Sequence, residues 1–379
     1  MKKTDKKTTP TRTVGVAVPE HPYQVFIGSG SRSRFSELFK RYGKGRALWV
    51  TDENVAAAWR PELDELSGES LAELVVLPPG EGEKTLFTVE KLSRICAQRG
   101  LERGDTLVAC GGGVVGDIVG FTAACFKRGI AFIQVPTTLL AMVDASVGGK
   151  TGVDLPEGKN LVGAFHQPLF VLIDVDFLNT LPEREFRSGF TEVAKTALIG
   201  DPSLFEMLKG GVQDRFFRKD TEVLIDIIEA CVRFKAAVVV QDEKESDHRR
   251  ILNFGHTIGH ALEVLGNYDQ LKHGEAVLWG MWAAVNLSVS SGLLDAARGS
   301  EILQFLEPYM KALPVVNCSE KDILYFIERD KKVSGGVPHF VLVSDVGEPV
   351  ISDQAGSGAR LSPEDLEEVL SRMIRKMSE

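Results

Sequence analysis

The sequence has few cysteines and no long apolar run. Its five cysteines are widely spaced, with no C-x-x-C pair, which is typical of reduced thiols in a cytoplasmic protein. The longest mostly apolar stretch, residues 276–285, is too short to span a bilayer and is typical of a buried helix. These two absences exclude a disulfide-stabilised scaffold and a membrane protein.

Positive charge is also in short supply. Lys and Arg number 44 against 53 Asp and Glu, which gives a formal net charge of -9. Because nucleic acids bind to positive fields, we expect no nucleic-acid partner, and an anionic ligand would need a local cluster of cations. The basic segment 1–12 has no apolar run behind it, so we expect a disordered tail rather than a signal peptide.

What is present is a globular composition, 44% hydrophobic and 26% charged, over 379 residues, which is long enough for two domains. Up to Pro182, apolar runs of strand length alternate with helical patterns. This alternation predicts an α/β domain with a parallel sheet over residues 13–182. The predicted strands are 14–18, 23–27, 47–52, 73–77, 106–110, 130–136 and 169–175.

Helical periodicity dominates after Pro182 and predicts a mainly α-helical domain over residues 183–379. Two helices are predicted to begin near Ser319 and Ser362, where a capping residue precedes acidic residues. The other predicted helices are 221–240, 256–265, 275–293 and 300–313, and a late strand is predicted at 339–343.

A glycine-rich turn, Gly111 to Asp117, leaves one predicted strand and enters a helix. Bare Cα atoms and a helix N-terminus let a phosphate approach the backbone, so this turn is a candidate nucleotide site. It is not the G-x-G-x-x-G fingerprint, and a tight turn without a ligand is the alternative interpretation of the loop alone. Residues 136–138, Pro-Thr-Thr, end the next strand, where open α/β sheets bind ligands.

Three histidines and a glutamate form a candidate metal set. His256 and His260 are four residues apart in a predicted helix and therefore project from one face, and His273 follows before the next helix. Two histidines with Glu192 would make a catalytic zinc site with an open position for substrate. The spacing does not decide which two histidines bind, and histidines that cap helices or line a cleft are the alternative.

Six motifs occur in order: GGGVVGD at 111–117, PTTLL at 136–140, DASVGGK at 144–150, GKN at 158–160, LPERE at 181–185 and LNFGHTIGH at 252–260. Together they resemble the 3-dehydroquinate synthase family of sugar-phosphate cyclases, from about residue 14 to 343. The resemblance implies an NAD-binding α/β domain, a helical metal-binding domain, and a homodimer that acts in the shikimate pathway.

The resemblance also implies a role for individual residues. The ligands of Zn2+, or of Co2+, would be Glu192, His256 and His273. The residues around NAD would be Asp52, Asn54, Glu81, Lys84, Gly112, Gly113, Val114, Val115, Gly116, Asp117, Thr137, Thr138, Lys150, Lys159, Phe177, Leu178, Asn179 and Thr180. The catalytic residues would be Asp144, Lys150, Lys195, Asn253 and His260. Substrate would be bound by Arg128 (lent to the neighbouring subunit), Lys159, Asn160, Lys235, Arg249 and either Lys331 or Lys332.

The implied reaction converts 3-deoxy-D-arabino-heptulosonate 7-phosphate, a small sugar-acid phosphate, to 3-dehydroquinate and phosphate. Transient oxidation of the C5 hydroxyl by NAD makes the C6 proton acidic, phosphate is eliminated, the hydride returns, and ring opening with aldol closure forms the carbocycle. Zinc would lower the pKa of the hydroxyl, and Lys195 would stabilise developing oxygen charge. The guanidinium fork of Arg249 would bind the carboxylate.

Three other functions compete with this one. Another sugar-phosphate cyclase, such as a 2-deoxy-scyllo-inosose or valiolone synthase, would keep NAD and zinc but alter the contacts with the substrate tail. A metal-dependent polyol dehydrogenase of the glycerol dehydrogenase kind would release NADH and need no anion cluster. A non-catalytic NAD-binding protein would leave the metal and lysine sets without use. Lys159, Asn160, Arg249 and His260 favour a substrate with both a carboxylate and a phosphate.

Overall fold

The computed structural model describes residues 10–67, 74–333, 340–352 and 361–379, with the side chains of residues 329–333 outside this description. The chain divides into two compact units. Unit 1 comprises residues 1–182 and 215–244, and unit 2 comprises residues 183–214 and 245–379. The first segment of unit 1 ends at Pro182, where the sequence predicts a boundary, but residues 215–244 also group with unit 1, so the division is not one cut.

The described residues form eleven strands and thirteen α-helices. The strands are β1 (Arg12–Val16), β2 (Tyr23–Gly28), β3 (Ala47–Asp52), β4 (Val75–Leu77), β5 (Thr106–Gly111), β6 (Ala131–Pro136), β7 (Lys150–Leu155), β8 (Gly158–Phe165), β9 (Phe170–Asp174), β10 (Val341–Asp345) and β11 (Glu348–Ile351). The helices are α1 (Phe35–Tyr42), α2 (Glu53–Ser67), α3 (Leu86–Gln98), α4 (Gly113–Cys125), α5 (Glu183–Ile199), α6 (Pro202–Met207), α7 (Gln213–Phe217), α8 (Thr221–Gln241), α9 (His256–Leu265), α10 (His273–Ser290), α11 (Ala296–Met310), α12 (Glu320–Val333) and α13 (Pro363–Ser378).

Unit 1 is built on a seven-stranded sheet in the order β1-β2-β9-β6-β5-β3-β4. Neighbouring strands run parallel except for β1 and β2, so the predicted parallel α/β fold is confirmed. Every residue of β5 and of β9 is buried, as strands covered on both faces require. The chain runs from β3 outward to β4, returns to β5, and continues the other way through β6 to β9. The topological switch point therefore lies between β3 and β5.

Two features of unit 1 differ from the sequence predictions. β7 and β8 form a separate antiparallel hairpin that was not predicted, because its polar and glycine residues give no continuous apolar run. Arg12 was assigned to the tail but begins β1, and its guanidinium pairs with Asp226 and Glu229 of α8. Residues 1–9 of the predicted tail lie outside the described residues.

Unit 2 is mainly helical, as predicted, and packs around α10. This helix is buried over most of its length and contacts α5, α9, α11 and α13. The predicted helix 256–265 matches α9, and the start predicted at Ser362 is confirmed by its hydroxyl, which accepts a hydrogen bond from the backbone nitrogen of Asp365 at 3.0 Å. The late strand is β10, paired with an unpredicted β11, and residue 339 lies outside the described residues. None of the described helices is long and apolar enough to cross a membrane.

Asp105 joins the loop before β3 to the start of β5. Its carboxylate accepts hydrogen bonds from the backbone nitrogens of Arg46 and Glu102, both at 2.8 Å, and from the Arg46 guanidinium at 2.7 Å. Burial would raise the pKa of Asp105, but these donors lower it to about 2. A depressed pKa means that this stabilisation is present above the ordinary aspartate pKa of about 4 and is lost as the pH falls towards 2.

We predict that Asp105→Ala lowers the free energy of unfolding by about 2 kcal/mol at pH 7, because two backbone donors lose their acceptor. Urea denaturation at pH 7 and at pH 3 measures the effect. The control is Asp64→Ala, which removes only an exposed partner of Arg60 on α2. The difference between wild type and the Asp105 variant should shrink at pH 3, and an undiminished difference would contradict the role of the ionised carboxylate.

Candidate active site

One carboxylate and two imidazoles come together in unit 2. Ligand atoms of Glu192, His256 and His273 all lie within 4.8 Å of one another. The Nε2 atoms of His256 and His273 are 3.8 and 3.5 Å from the same oxygen, Oε1 of Glu192. One carboxylate oxygen and two imidazole nitrogens suit a divalent ion such as Zn2+ or Co2+ with positions left for substrate, so the residues fit a metal. His260 is exposed and groups instead with Glu263 and His273.

Close backbone packing places these side chains. Both histidines are the first residues of their helices, α9 and α10. The turn before α9 is made by Gly255 at φ +78°, and a Cβ on Gly280 of α10 would lie only 1.8 Å from the Gly255 carbonyl oxygen. A Cβ on Gly274 would lie 2.0 Å from the carbonyl oxygen of Ser188 on α5. Glycine is therefore required at both contacts for the three helices to approach this closely.

The charged groups of this cluster shift one another's pKa values. Burial alone would raise the pKa of Glu192, but the ammonium of Lys195 and the two imidazoles hold it well below its ordinary value. Burial and then Lys195 lower the pKa of His256 well below its ordinary value. Burial also opposes a charge on His273, yet hydrogen bonds to Glu192 and Glu263 raise its pKa to about 10. Positive charge is therefore stabilised at His273, between Glu192 and Glu263, and disfavoured at His256.

The candidate nucleotide residues of unit 1 follow the carboxyl ends of parallel strands. Asp52 ends β3, and the glycine turn joins β5 to α4, on the two sides of the switch point. A Cβ on Gly112 would lie 3.1 Å from Cγ2 of Thr138, so the turn is closely packed. Thr137 is buried, and its hydroxyl has no hydrogen-bond partner among the described residues. A buried orphan hydroxyl beside a helix N-terminus fits a nucleotide that supplies the missing partner.

The remaining predicted NAD residues lie in several separate segments of unit 1. Asn54 is exposed in the first turn of α2, and Phe177, Leu178, Asn179 and Thr180 lie in a short 3-10 helix after β9. Nζ of Lys159 forms an ion pair with Oε1 of Glu81 at 3.2 Å. The Nζ of Lys84 is 2.7 Å from Oδ2 of Asp117 and donates to Oδ1 of Asn160 at 2.6 Å. Burial opposes the charge of Lys84, but Asp117 and Glu81 raise its pKa overall.

Among the candidate substrate-binding residues of unit 1, Lys235 and Asp144 are in direct contact. Nζ of Lys235 donates to Oδ1 of Asp144 at 2.8 Å and to its carbonyl oxygen at 2.7 Å. Lys150 begins β7 and is exposed. Arg128 is also exposed, at φ +64° in the turn after α4.

In unit 2, Lys195 pairs with Glu192 one helical turn away. Arg249 is only 1% exposed, although its side chain is among the longest in the protein. Nδ2 of Asn253 donates to Oε1 of Glu245 at 3.0 Å. Lys331 belongs to α12, but its side chain lies outside the described residues.

The sequence analysis missed three polar residues that hold predicted site residues. Glu263 contacts His273, Glu245 accepts from Asn253, and the carboxylate of Asp154 accepts a hydrogen bond at 2.7 Å from the backbone nitrogen of Asn160, which has φ +56°. Of these three residues, only Glu263 could have been found from the sequence, because it is seven residues after His256 and therefore on the same helix face. The other two depend on turn geometry that no pattern predicted.

The matching family models and the curated relatives belong to one family. The model described as "3-dehydroquinate synthase N-terminal" matches residues 74–188, and that described as "3-dehydroquinate synthase C-terminal" matches residues 189–333. A 3-dehydroquinate synthase of Solibacter usitatus is 48% identical over 337 residues, 89% of this chain and 94% of that protein. One of Alkaliphilus metalliredigens is 41% identical over 327 residues, 86% of this chain and 91% of that protein.

Solved structures of related cyclases share the fold. A 2-deoxy-scyllo-inosose synthase complexed with carbaglucose-6-phosphate, NAD+ and Co2+ has a TM-score of 0.84 at 26% identity, over 95% of this chain and 99% of that chain. The 2-epi-5-epi-valiolone synthase of Streptomyces hygroscopicus, with NAD+ and Zn2+ bound, has a TM-score of 0.83 at 27% identity over the same shares. The identity to these cyclases is well below that to the curated relatives.

We predict that His256→Ala removes most of the bound zinc while preserving the fold, because the variant loses one of three ligands. Elemental analysis of the purified protein gives the metal content, and circular dichroism checks the fold. His21→Ala, an exposed histidine of unit 1, is the control and should keep its zinc. Full zinc occupancy in the His256 variant would remove this residue from the ligand set.

Proposed function

We infer the residue roles below from one premise: the chain belongs to the 3-dehydroquinate synthase family. It is an NAD- and metal-dependent, phosphate-eliminating lyase of the shikimate pathway, and its product is 3-dehydroquinate. Neither a different cyclase activity nor a polyol dehydrogenase is favoured, since the curated relatives at 41% and 48% identity are 3-dehydroquinate synthases. When bound, NAD takes up and returns one hydride, and a divalent metal acts as a Lewis acid on substrate oxygens.

The cluster of candidate metal ligands in unit 2 is the observation that carries the proposed chemistry. Glu192, His256 and His273 hold the metal, and each imidazole turns its Nε2 towards the same carboxylate oxygen. The buried Lys195 keeps Glu192 ionised and presents its ammonium next to the ligand set, where it stabilises negative charge that develops on substrate oxygens. Three protein ligands leave room for substrate, as a catalytic rather than a structural site requires.

Other residues of unit 2 bind and orient the substrate. Arg249 binds its carboxylate through two parallel hydrogen bonds, a geometry that a guanidinium fork supplies and an ammonium does not. Asn253, held by Glu245, and His260 contact the hydroxyl groups. Lys331 contributes a positive charge for binding the substrate phosphate.

Unit 1 binds NAD along the carboxyl ends of its strands. The glycine turn and the N-terminus of α4 donate backbone N–H groups to the pyrophosphate, and Asp52 accepts from a ribose hydroxyl. Thr137 and Thr138, Glu81, Lys84 and the segment 177–180 complete the contacts. Lys150, Lys159, Asn160 and Lys235 bind the phosphate end of the substrate, and Asp144 holds Lys235 in place.

Two further proposals concern the assembly and the compartment. We propose a homodimer in which Arg128 reaches the partner's phosphate site; the exposure of Arg128, in the turn after α4, supports this. We also propose a cytoplasmic location, because all five cysteines are free thiols, three of them buried in the core.

The net reaction is redox-neutral, so we predict that NAD is recycled. Incubation with 3-deoxy-D-arabino-heptulosonate 7-phosphate and NAD should release one phosphate per substrate, and the absorbance should show no stoichiometric NADH. A reaction without substrate is the blank. Accumulation of one NADH per substrate, without phosphate release, would support a dehydrogenase instead.

We predict that Arg249→Lys lowers kcat/KM about tenfold or more, because lysine keeps the charge but not the bidentate geometry. Steady-state kinetics measures the effect, and metal content should not change. Arg250→Lys is the matched control: this neighbour pairs with Asp247 near the surface, and its variant should resemble wild type.

A substrate analogue without the carboxylate tests the same assignment independently. Wild type and Arg249→Lys should turn over this analogue at nearly equal rates, since the lost contact is absent in both. An equal loss on both substrates would make Arg249 a structural residue and contradict the carboxylate assignment.

A further inference from the structure

Glu263 is a buried carboxylate to which the proposed reaction gives no role. It lies on α9, two turns after His256, and is 3% exposed. Its Oε2 is 3.4 Å from Nδ1 of His273, a residue of the proposed ligand set. A carboxylate is costly to bury and is retained where it makes compensating polar contacts, so the contact with His273 points to a role at that imidazole.

The two ring nitrogens of His273 face two different carboxylates. Nε2 lies towards Glu192 and Nδ1 towards Glu263. Because an ionised carboxylate only accepts hydrogen bonds, Nδ1 carries a proton in this contact, and a metal that displaces the proton of Nε2 finds the lone pair of that nitrogen beside Glu192. The ring therefore has one tautomer suited to binding a cation beside Glu192.

His256 shows the same arrangement with a different acceptor. Its Nδ1 is 3.1 Å from the carbonyl oxygen of Phe254, and its Nε2 faces Glu192. Both proposed histidine ligands thus pair Nδ1 with an oxygen acceptor and present Nε2 to the same point. For His256 the acceptor belongs to the backbone, whereas for His273 it is a side chain that a substitution can remove.

We propose that Glu263 is the positioning residue of the metal centre: it holds His273 in the tautomer and ring orientation in which Nε2 binds the metal. This proposal rests on the ligand set of the proposed function. Ligand atoms of His260, Glu263 and His273 also lie within 4.8 Å of one another, so the same carboxylate borders the proposed substrate histidine.

The test measures metal binding directly and needs no substrate. Full-length protein is stripped of metal, and its dissociation constant for Co2+ is determined by competition with a chelator, together with the visible absorption spectrum of the Co2+ form. Glu263→Ala should weaken binding about tenfold or more, as loss of such outer partners typically does. Glu263→Gln should weaken it less, about threefold, because the amide oxygen can still accept from Nδ1. Glu301→Gln, which alters a surface ion pair of the same unit, should bind like wild type.

Several results would overturn the proposal. Glu263→Ala with a dissociation constant within twofold of wild type and the same spectrum would show that the carboxylate does not position His273. If the alanine variant does not fold, as judged by thermal melting, Glu263→Met decides, because methionine is of similar size and lacks the acceptor oxygen; wild-type affinity there overturns the proposal. If Glu263→Ala loses the Co2+ spectrum while His256→Ala retains it, Glu263 is itself a ligand and the positioning role is wrong.

The same measurements separate this proposal from the proposed function. If His256→Ala loses metal but Glu263→Ala does not, the ligand set stands and only the positioning role fails. If neither His256→Ala nor His273→Ala weakens Co2+ binding, the ligand set fails, and the role of Glu263 fails with it.

Discussion

The buried carboxylate of Glu192 is the constraint on which the core of unit 2 depends. It is 1% exposed, and a charge removed from water to this degree is strongly destabilising unless cations surround it. Lys195 on the same helix supplies one cation, and the imidazoles at the starts of α9 and α10 approach from two other helices. Their approach is possible only because Gly274 and Gly280 let backbones touch. Core packing and site assembly are therefore the same set of contacts here.

In unit 1, the candidate site depends on the topology of the sheet rather than on a buried charge. An open parallel sheet ends all its strands at one edge, and at the switch point the loops after β3 and β5 diverge and leave a crevice. The glycine turn after β5 occupies that position, with the N-terminus of α4 directly behind it. The proposed nucleotide-binding residues are thus distributed over distant parts of the sequence, because the topology brings together strand ends rather than residues that are neighbours in the chain.

Charge is balanced locally in a chain that is acidic overall. Lys84, Lys195 and Lys235, three cations assigned to ligand binding, are each buried and paired with a carboxylate. These pairs keep the cations compatible with a buried environment when no anion is bound. In the proposed roles, a phosphate or carboxylate would meet an ammonium whose position is already determined, which would lower the cost of ordering long side chains on binding.

The sequence by itself determined the class of each unit, the strands β3 and β5, helix α9 and the resemblance of six motifs to one family, because all of these depend on local periodicity and spacing. It also contained Glu192, His256, His260 and His273 as candidates, but spacing left open which histidines face the carboxylate. The tertiary structure decided that geometry, since it depends on where α5, α9 and α10 pack. It also decided that residues 215–244 group with unit 1, that β7 and β8 pair, and that Glu263 faces His273. A residue pattern records which face of an element is apolar, whereas contacts between distant segments arise only when those faces are buried against one another.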